Sequence, residues 1–129
     1  MPKKILIAED EPDIQEMLVF MFEREGYAVV AASNGSEAYA LAQAQRPDLI
    51  LMDVRMPHVD GYAATRLIKS HPQLQNVPVL FVSVRGLPTD RQMEIAVGGA
   101  GHVNKPFAPD ELIQQVKALL EQSRHNLTL

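Results

Sequence analysis

Ile5-Leu6-Ile7-Ala8-Glu9-Asp10-Glu11 is a four-residue apolar run that stops at three consecutive carboxylates. A short run without polar interruptions reads as a strand covered on both faces, and such strands belong to parallel sheets. Similar runs follow at Ala28-Val29-Val30-Ala31, Leu49-Ile50-Leu51-Met52, Val79-Leu80-Phe81-Val82 and, most weakly, around His102-Val103. Helical spacing lies between them. Ile14, Met17, Leu18, Met21 and Phe22 recur at i, i+3, i+4, i+7 and i+8, and Leu112, Ile113, Val116, Leu119 and Leu120 do nearly the same. These stripes predict a first and a last helix, with Pro12 and Pro109 in their first turns, where a missing amide proton costs nothing. Gly26 and the Gly98-Gly99 pair supply helix stops. Residues 36–45, 60–69 and 87–97 supply the other three helices. Val19 and Phe20 project off the apolar stripe of the first helix, so one or both should be partly exposed. Five alternating βα units imply an α/β fold, with a parallel sheet, right-handed crossovers and helices on both faces.

The composition is compatible with that plan and excludes several others. The chain has 129 residues, 47% apolar and 22% charged, which suits one globular domain and opposes global disorder. Twelve basic against sixteen acidic residues give a net charge of −4, which opposes direct nucleic-acid binding or a general grip on anionic lipid. Cysteine is absent, so disulfides, thiolate metal sites and cysteine nucleophiles are excluded, and any metal takes oxygen or nitrogen ligands. The apolar run after Lys3-Lys4 is too short for a signal peptide. The longest unbroken apolar stretch, residues 17–22, has six residues, against roughly 20 for a membrane span. The expectation is a cytoplasmic protein without a membrane segment, with one domain over residues 1–121 and a short tail over 122–129.

Open α/β sheets bind ligands beyond the carboxyl ends of their strands. Those ends carry Glu9 and Asp10 after the first strand, Asp53 after the third, Ser83 after the fourth and Lys105 after the fifth. If the first and third strands are neighbours, three carboxylates converge, and their repulsion requires a proton or a cation. Magnesium suits such a site, since it takes oxygen ligands and commonly bridges carboxylates to phosphate oxygens. Ser83 and Lys105 then offer a hydroxyl and a point charge to the remaining phosphoryl oxygens. Each residue alone has an ordinary structural use: a helix cap for Glu9-Asp10, a loop start for Asp53, a backbone partner for Ser83, a solvated charge or an internal ion-pair partner for Lys105. Five polar groups on one rim of one sheet are the stronger observation.

The motifs Ile5 to Glu11, Leu51-Met52-Asp53-Val54-Arg55-Met56-Pro57 with Asp60-Gly61, Pro78-Val79-Leu80-Phe81-Val82-Ser83, and Asn104-Lys105-Pro106-Phe107 closely resemble those of response-regulator receiver domains, in order, from about residue 4 to residue 121. The resemblance implies a flavodoxin-like doubly wound fold with strand order 2-1-3-4-5. It also implies magnesium-dependent phosphoryl transfer to Asp53 from a phosphohistidine on a sensor histidine kinase or a histidine phosphotransfer protein. By position, Asp10 would ligate the ion directly, Glu9 through water, Asp53 by its carboxylate and Arg55 through its backbone carbonyl, while Ser83 and Lys105 would hold the phosphoryl group. In the family the hydroxyl moves toward the new phosphate and an aromatic on the fifth strand turns inward, remodelling a face that contacts a downstream partner or output domain. The first helix resembles the surface that kinases and phosphotransfer proteins grip.

Two positions depart from the family pattern. His102 stands at the aromatic switch position, where a flat ring can still rotate inward. Val84 stands where a small residue usually follows the hydroxyl, and with Arg55 and Arg85 it is expected to cover the approach of water to the phosphoryl group. Three other functions fit these residues less well. An aspartyl-phosphate phosphatase resembles an Asp-x-Asp pattern, and here the second position is Arg55. A flavin or dinucleotide module is opposed by the carboxylates of Glu9-Asp10-Glu11-Pro12-Asp13, which would repel phosphate. A degenerate receiver acting as a constitutive binding module would be expected to lack one of the acids or the lysine, and all are present.

Overall fold

The computed structural model describes residues 2–84 and 88–127, and the side chains of 88–90 and 123–127 fall outside the described set. Strands and helices alternate without exception: β1 (Lys4–Ala8), α1 (Pro12–Arg24), β2 (Ala28–Ala32), α2 (Gly35–Gln45), β3 (Leu49–Asp53), α3 (Gly61–Ser70), β4 (Val79–Ser83), α4 (Pro88–Ala96), β5 (Gly101–Asn104) and α5 (Pro109–Leu127). The helix α5 thus continues into the segment expected as a tail. All strand pairs are parallel, in the order β2-β1-β3-β4-β5.

The two-residue period of the strands divides the interior. Leu6, Ala8, Ile50, Met52, Val79 and Phe81 face one way, onto Ala38 and Ala42 of α2 and Ala64 and Ile68 of α3. Their neighbours Ile5, Ile7, Leu49, Leu51, Leu80 and Val82 face the other way, onto Leu18 and Phe22 of α1 and Leu112, Val116 and Leu120 of α5. Both faces of the central strands are therefore covered, which is why their sequences are continuously apolar. On α1 the contact line is narrower than the five-residue stripe: Leu18 and Phe22 are buried, whereas Met17, expected inside, is 43% exposed. Phe20 is 61% exposed, off the stripe as its spacing requires.

Helix starts and stops follow local chemistry. Pro12 and Pro109 open α1 and α5. Asn34 and Asp60 cap α2 and α3 by accepting from the amides of Glu37 and Ala63, both at 2.8 Å. The N-cap of α1 is Glu11, which makes no side-chain cap bond, so the Glu9-Asp10 pair is not spent on capping. Gly26 follows α1 and Gly98 follows α4, both at positive φ.

One close approach fixes the loop after β3. A Cβ on Gly61 would lie 2.2 Å from the Asp53 carbonyl oxygen, and the Gly61 amide donates to the Val54 carbonyl at 2.8 Å. Glycine lets α3 begin directly against the backbone of the strand end. Gly61→Ala is expected to cost roughly 1–3 kcal/mol through that clash, read as a lower urea midpoint at unchanged slope; an unaltered midpoint would mean that the loop yields freely.

Candidate functional site

Register brings the acids together. Ala8 pairs with Met52, so Glu9, just past the end of β1, and Asp53, the last residue of β3, stand side by side. Oxygens of Glu9, Asp10 and Asp53 all lie within 4.8 Å of one another. Glu9 and Asp53 are buried, at 2% and 6% exposure, and Asp10 is the more open member. The Glu9 carboxylate accepts from the Glu11 amide at 3.1 Å, and the Glu9 main chain is tied to β2 through Gln15 and Ala32. Asp53 Oδ1 accepts from the Arg55 amide at 3.4 Å, while the Arg55 side chain is exposed.

Lys105 is the cation set against this cluster. Its Nζ lies 2.6 Å from Glu9 Oε1 and 3.5 Å from Asp53 Oδ2, so its tighter partner is Glu9. Its backbone is fixed by the Lys105 amide, which donates to the Ser83 carbonyl at 2.6 Å. Burial pulls the lysine pKa down, but the hydrogen bond to Glu9 and the charges of Asp53 and Glu9 outweigh it and raise the value. Asp53 is pushed up to about 7, first by burial and then by the charge of Glu9, with Lys105 pulling back. The site therefore holds more negative charge than one lysine offsets. Its donors are all hard oxygens, and they fit a hard divalent cation.

On the adjoining strands, Ser83 is buried at the end of β4, and its Oγ lies 3.3 Å from His102 Nε2 on β5. Val84 is 63% exposed just beyond it, outside the core. Arg85 lies outside the described residues. Sequence reasoning missed Glu94: it is buried at 7% exposure, and its carboxylate bonds His102 Nδ1. The available signal was a carboxylate three residues before the buried Val97, on the face of α4 turned to the sheet.

A family model for the response regulator receiver domain matches residues 5–117. This chain belongs to that family. It is 35% identical over 123 residues to the alkaline phosphatase synthesis transcriptional regulatory protein PhoP of Bacillus subtilis, covering 95% of this chain and 50% of PhoP. The transcriptional regulatory protein SrrA of Staphylococcus aureus is also 35% identical, over 96% of this chain and 50% of SrrA. The chain thus spans about half the length of the curated relatives it matches. Among solved structures, the chemotaxis protein CheY4 of Vibrio cholerae superposes with a TM-score of 0.89 at 31% identity, covering 92% of this chain and 99% of that one. The receiver domain of the sensor histidine kinase PA1611 of Pseudomonas aeruginosa, with a magnesium ion coordinated in its active-site cleft, gives a TM-score of 0.87 at 33% identity over 94% of this chain and 99% of that one. No helix among the described residues is long and apolar enough to cross a membrane.

The raised Asp53 value has a consequence for this receiver domain's stability. The folded carboxyl keeps its proton up to about pH 7, whereas the unfolded one, near 3.8, has released it. The group binds more protons folded than unfolded, so its contribution turns unfavourable as pH rises through that window and is fully so above it. In chelator, the melting temperature of the wild type should fall from pH 5 to pH 8 relative to Asp53→Asn, by several degrees. Parallel melting curves across that range would contradict the burial argument.

Proposed function

We propose that this receiver domain accepts a phosphoryl group on Asp53 from a phosphohistidine of a sensor histidine kinase or a histidine phosphotransfer protein, with magnesium bound beside it. The observation that carries the reading is the buried Asp53 carboxylate, held between a second carboxylate and Lys105 at the end of a central strand. An Asp53 carboxylate oxygen attacks phosphorus in line with the P–N bond. That bond breaks, its electron pair returns to the donor imidazole, and an acyl phosphate forms. Glu9, Asp10, Asp53 and the backbone carbonyl of Arg55 are the proposed magnesium ligands. The ion supplies neutralisation of charge on the phosphoryl oxygens. Lys105 supplies positive charge on another side, and its ammonium trades part of its bond to Glu9 for a phosphoryl oxygen. The Ser83 hydroxyl donates to the same group.

The surface features fit donor docking and a slow return. Phe20 is 61% exposed on α1, with the Arg24 guanidinium 5.7 Å from its ring centroid and Met17 exposed nearby, which supports α1 as the face gripped by the phosphoryl donor. Val84 borders the strand end with its branched side chain in solvent. Together with the exposed Arg55 it is proposed to hinder water in line with phosphorus and so to prolong the phosphorylated state, during which a downstream partner or output domain is engaged. The phosphatase reading has Arg55 where it needs a second acid, so it lacks its general acid and base.

Intact mass after incubation with magnesium and acetyl phosphate tests the reaction. The wild type should gain one phosphoryl group, and Asp53→Asn should gain none. Asp10→Asn should lose phosphorylation in limiting magnesium, and decay after donor removal should be faster in Val84→Ala than in the wild type. A phosphoryl adduct on Asp53→Asn at the wild-type rate would refute the assignment.

A further inference from the structure

Gln15 is half-buried on α1, and its backbone amide donates to the Glu11 carbonyl at 2.9 Å. Its side-chain Nε2 lies 3.0 Å from the Glu9 carbonyl oxygen, 3.0 Å from the Ala32 carbonyl oxygen and 3.3 Å from Ser33 Oγ. Carbonyls only accept, so the amide group turns its two protons toward the ends of β1 and β2. The ladder explains the contact. The Glu9 amide donates to the Ala32 carbonyl at 3.0 Å, as the last rung between these strands. A further parallel rung would bring the Asn34 amide to the Glu9 carbonyl, but Asn34 is the N-cap of α2, where the chain leaves the sheet. Gln15 supplies that donor, and both main-chain groups of Glu9 are paired. The peptide joining Glu9 to Asp10 is planar, so a fixed Glu9 carbonyl fixes where the Asp10 backbone begins. The two acids are otherwise held differently. The Glu9 carboxylate is anchored by Lys105 at 2.6 Å and by the Glu11 amide at 3.1 Å. Among the described residues, no side-chain hydrogen bond or ion pair holds Asp10, yet its carboxylate lies within 4.8 Å of those of Glu9 and Asp53.

We propose that Gln15 is a positioning residue for the metal site: by holding the Glu9 carbonyl, its amide aims Asp10 at the space between Glu9 and Asp53. The inference rests on the magnesium reading above, in which Asp10 ligates the ion directly. Without the Gln15 donor the Glu9–Asp10 peptide is free to turn, and the like charges of Glu9 and Asp53 drive the Asp10 carboxylate outward. A cation must then order Asp10 as it binds, and that cost is taken from its affinity. Magnesium is sensitive to such a loss because it demands near-octahedral geometry from few protein ligands.

The test compares the full wild-type chain with Gln15→Met, which keeps the side-chain length and removes the donor, and with Val116→Ala, which truncates the core on α5 away from the rim. In chelator, the NMR order parameter of the Asp10 amide should be about 0.85 in the wild type and in Val116→Ala, and should fall toward about 0.6 in Gln15→Met. Magnesium titrations followed by amide shifts, with no phosphoryl donor present, should give a Kd about fivefold weaker in Gln15→Met, the worth of one neutral hydrogen bond. The Kd should be unchanged in Val116→Ala, although its urea midpoint is lower. An Asp10 amide as rigid in Gln15→Met as in the wild type overturns the proposal. So does a loosened Asp10 with unchanged magnesium affinity, or an equal loss of affinity in Val116→Ala, which would make the effect one of general stability. Failure of the wild type to bind magnesium would refute the metal reading instead, and the order parameters, recorded in chelator, decide independently of it whether Gln15 holds Asp10.

Discussion

Two buried carboxylates and a third, more open one share a space only 4.8 Å across, and among the described residues one lysine faces them. Everything else at the rim of the sheet follows from that imbalance. Burial first and the charge of Glu9 second push Asp53 up to about 7, while Lys105, whose tighter partner is Glu9, pulls back. On the proposed reading, a cation or a phosphoryl group with its cation would change the balance and let Lys105 move between partners. On that reading, binding would relieve a crowding of charge already present in the fold.

The sheet is what makes the crowding possible. The order β2-β1-β3-β4-β5 places β1 and β3 side by side, and their register sets Glu9 beside Asp53. Both strands are buried on both faces, so their ends cannot retreat into solvent without uncovering the core. Gly61 seals the loop behind Asp53 at backbone contact distance. On the far side, β4 and β5 extend the same rim to Ser83 and His102, and α4 enters through Glu94. Contacts therefore run from the Ser83 hydroxyl through the His102 imidazole to Glu94 on α4.

Much of this was legible in the sequence because it is written in strand ends. Continuous apolar runs mark doubly covered strands, and a polar residue after each run marks the rim, so Glu9, Asp10, Asp53, Ser83 and Lys105 could be named before their distances were known. The exposure of Phe20 followed from helical spacing alone. Met17 did not, because spacing gives the apolar stripe but not how much of it the sheet covers. Glu94 was illegible for a related reason: α4 has a weak apolar pattern, and a carboxylate on its inward face is recognisable only once His102 is known to lie opposite. The preference of Lys105 for Glu9 over Asp53 depends on side-chain reach across three strands, which no linear pattern encodes.

The central claim is that burial and mutual repulsion raise the Asp53 carboxyl and that a divalent cation, as proposed, would lower it again. The most direct measurement is the titration of the Asp53 side-chain carboxyl by carbon-detected NMR, with and without magnesium. A midpoint near 7 in chelator, moving well down in saturating magnesium, is the result the account predicts. A midpoint in the ordinary carboxylate range without the ion, or one that magnesium leaves in place, would contradict it.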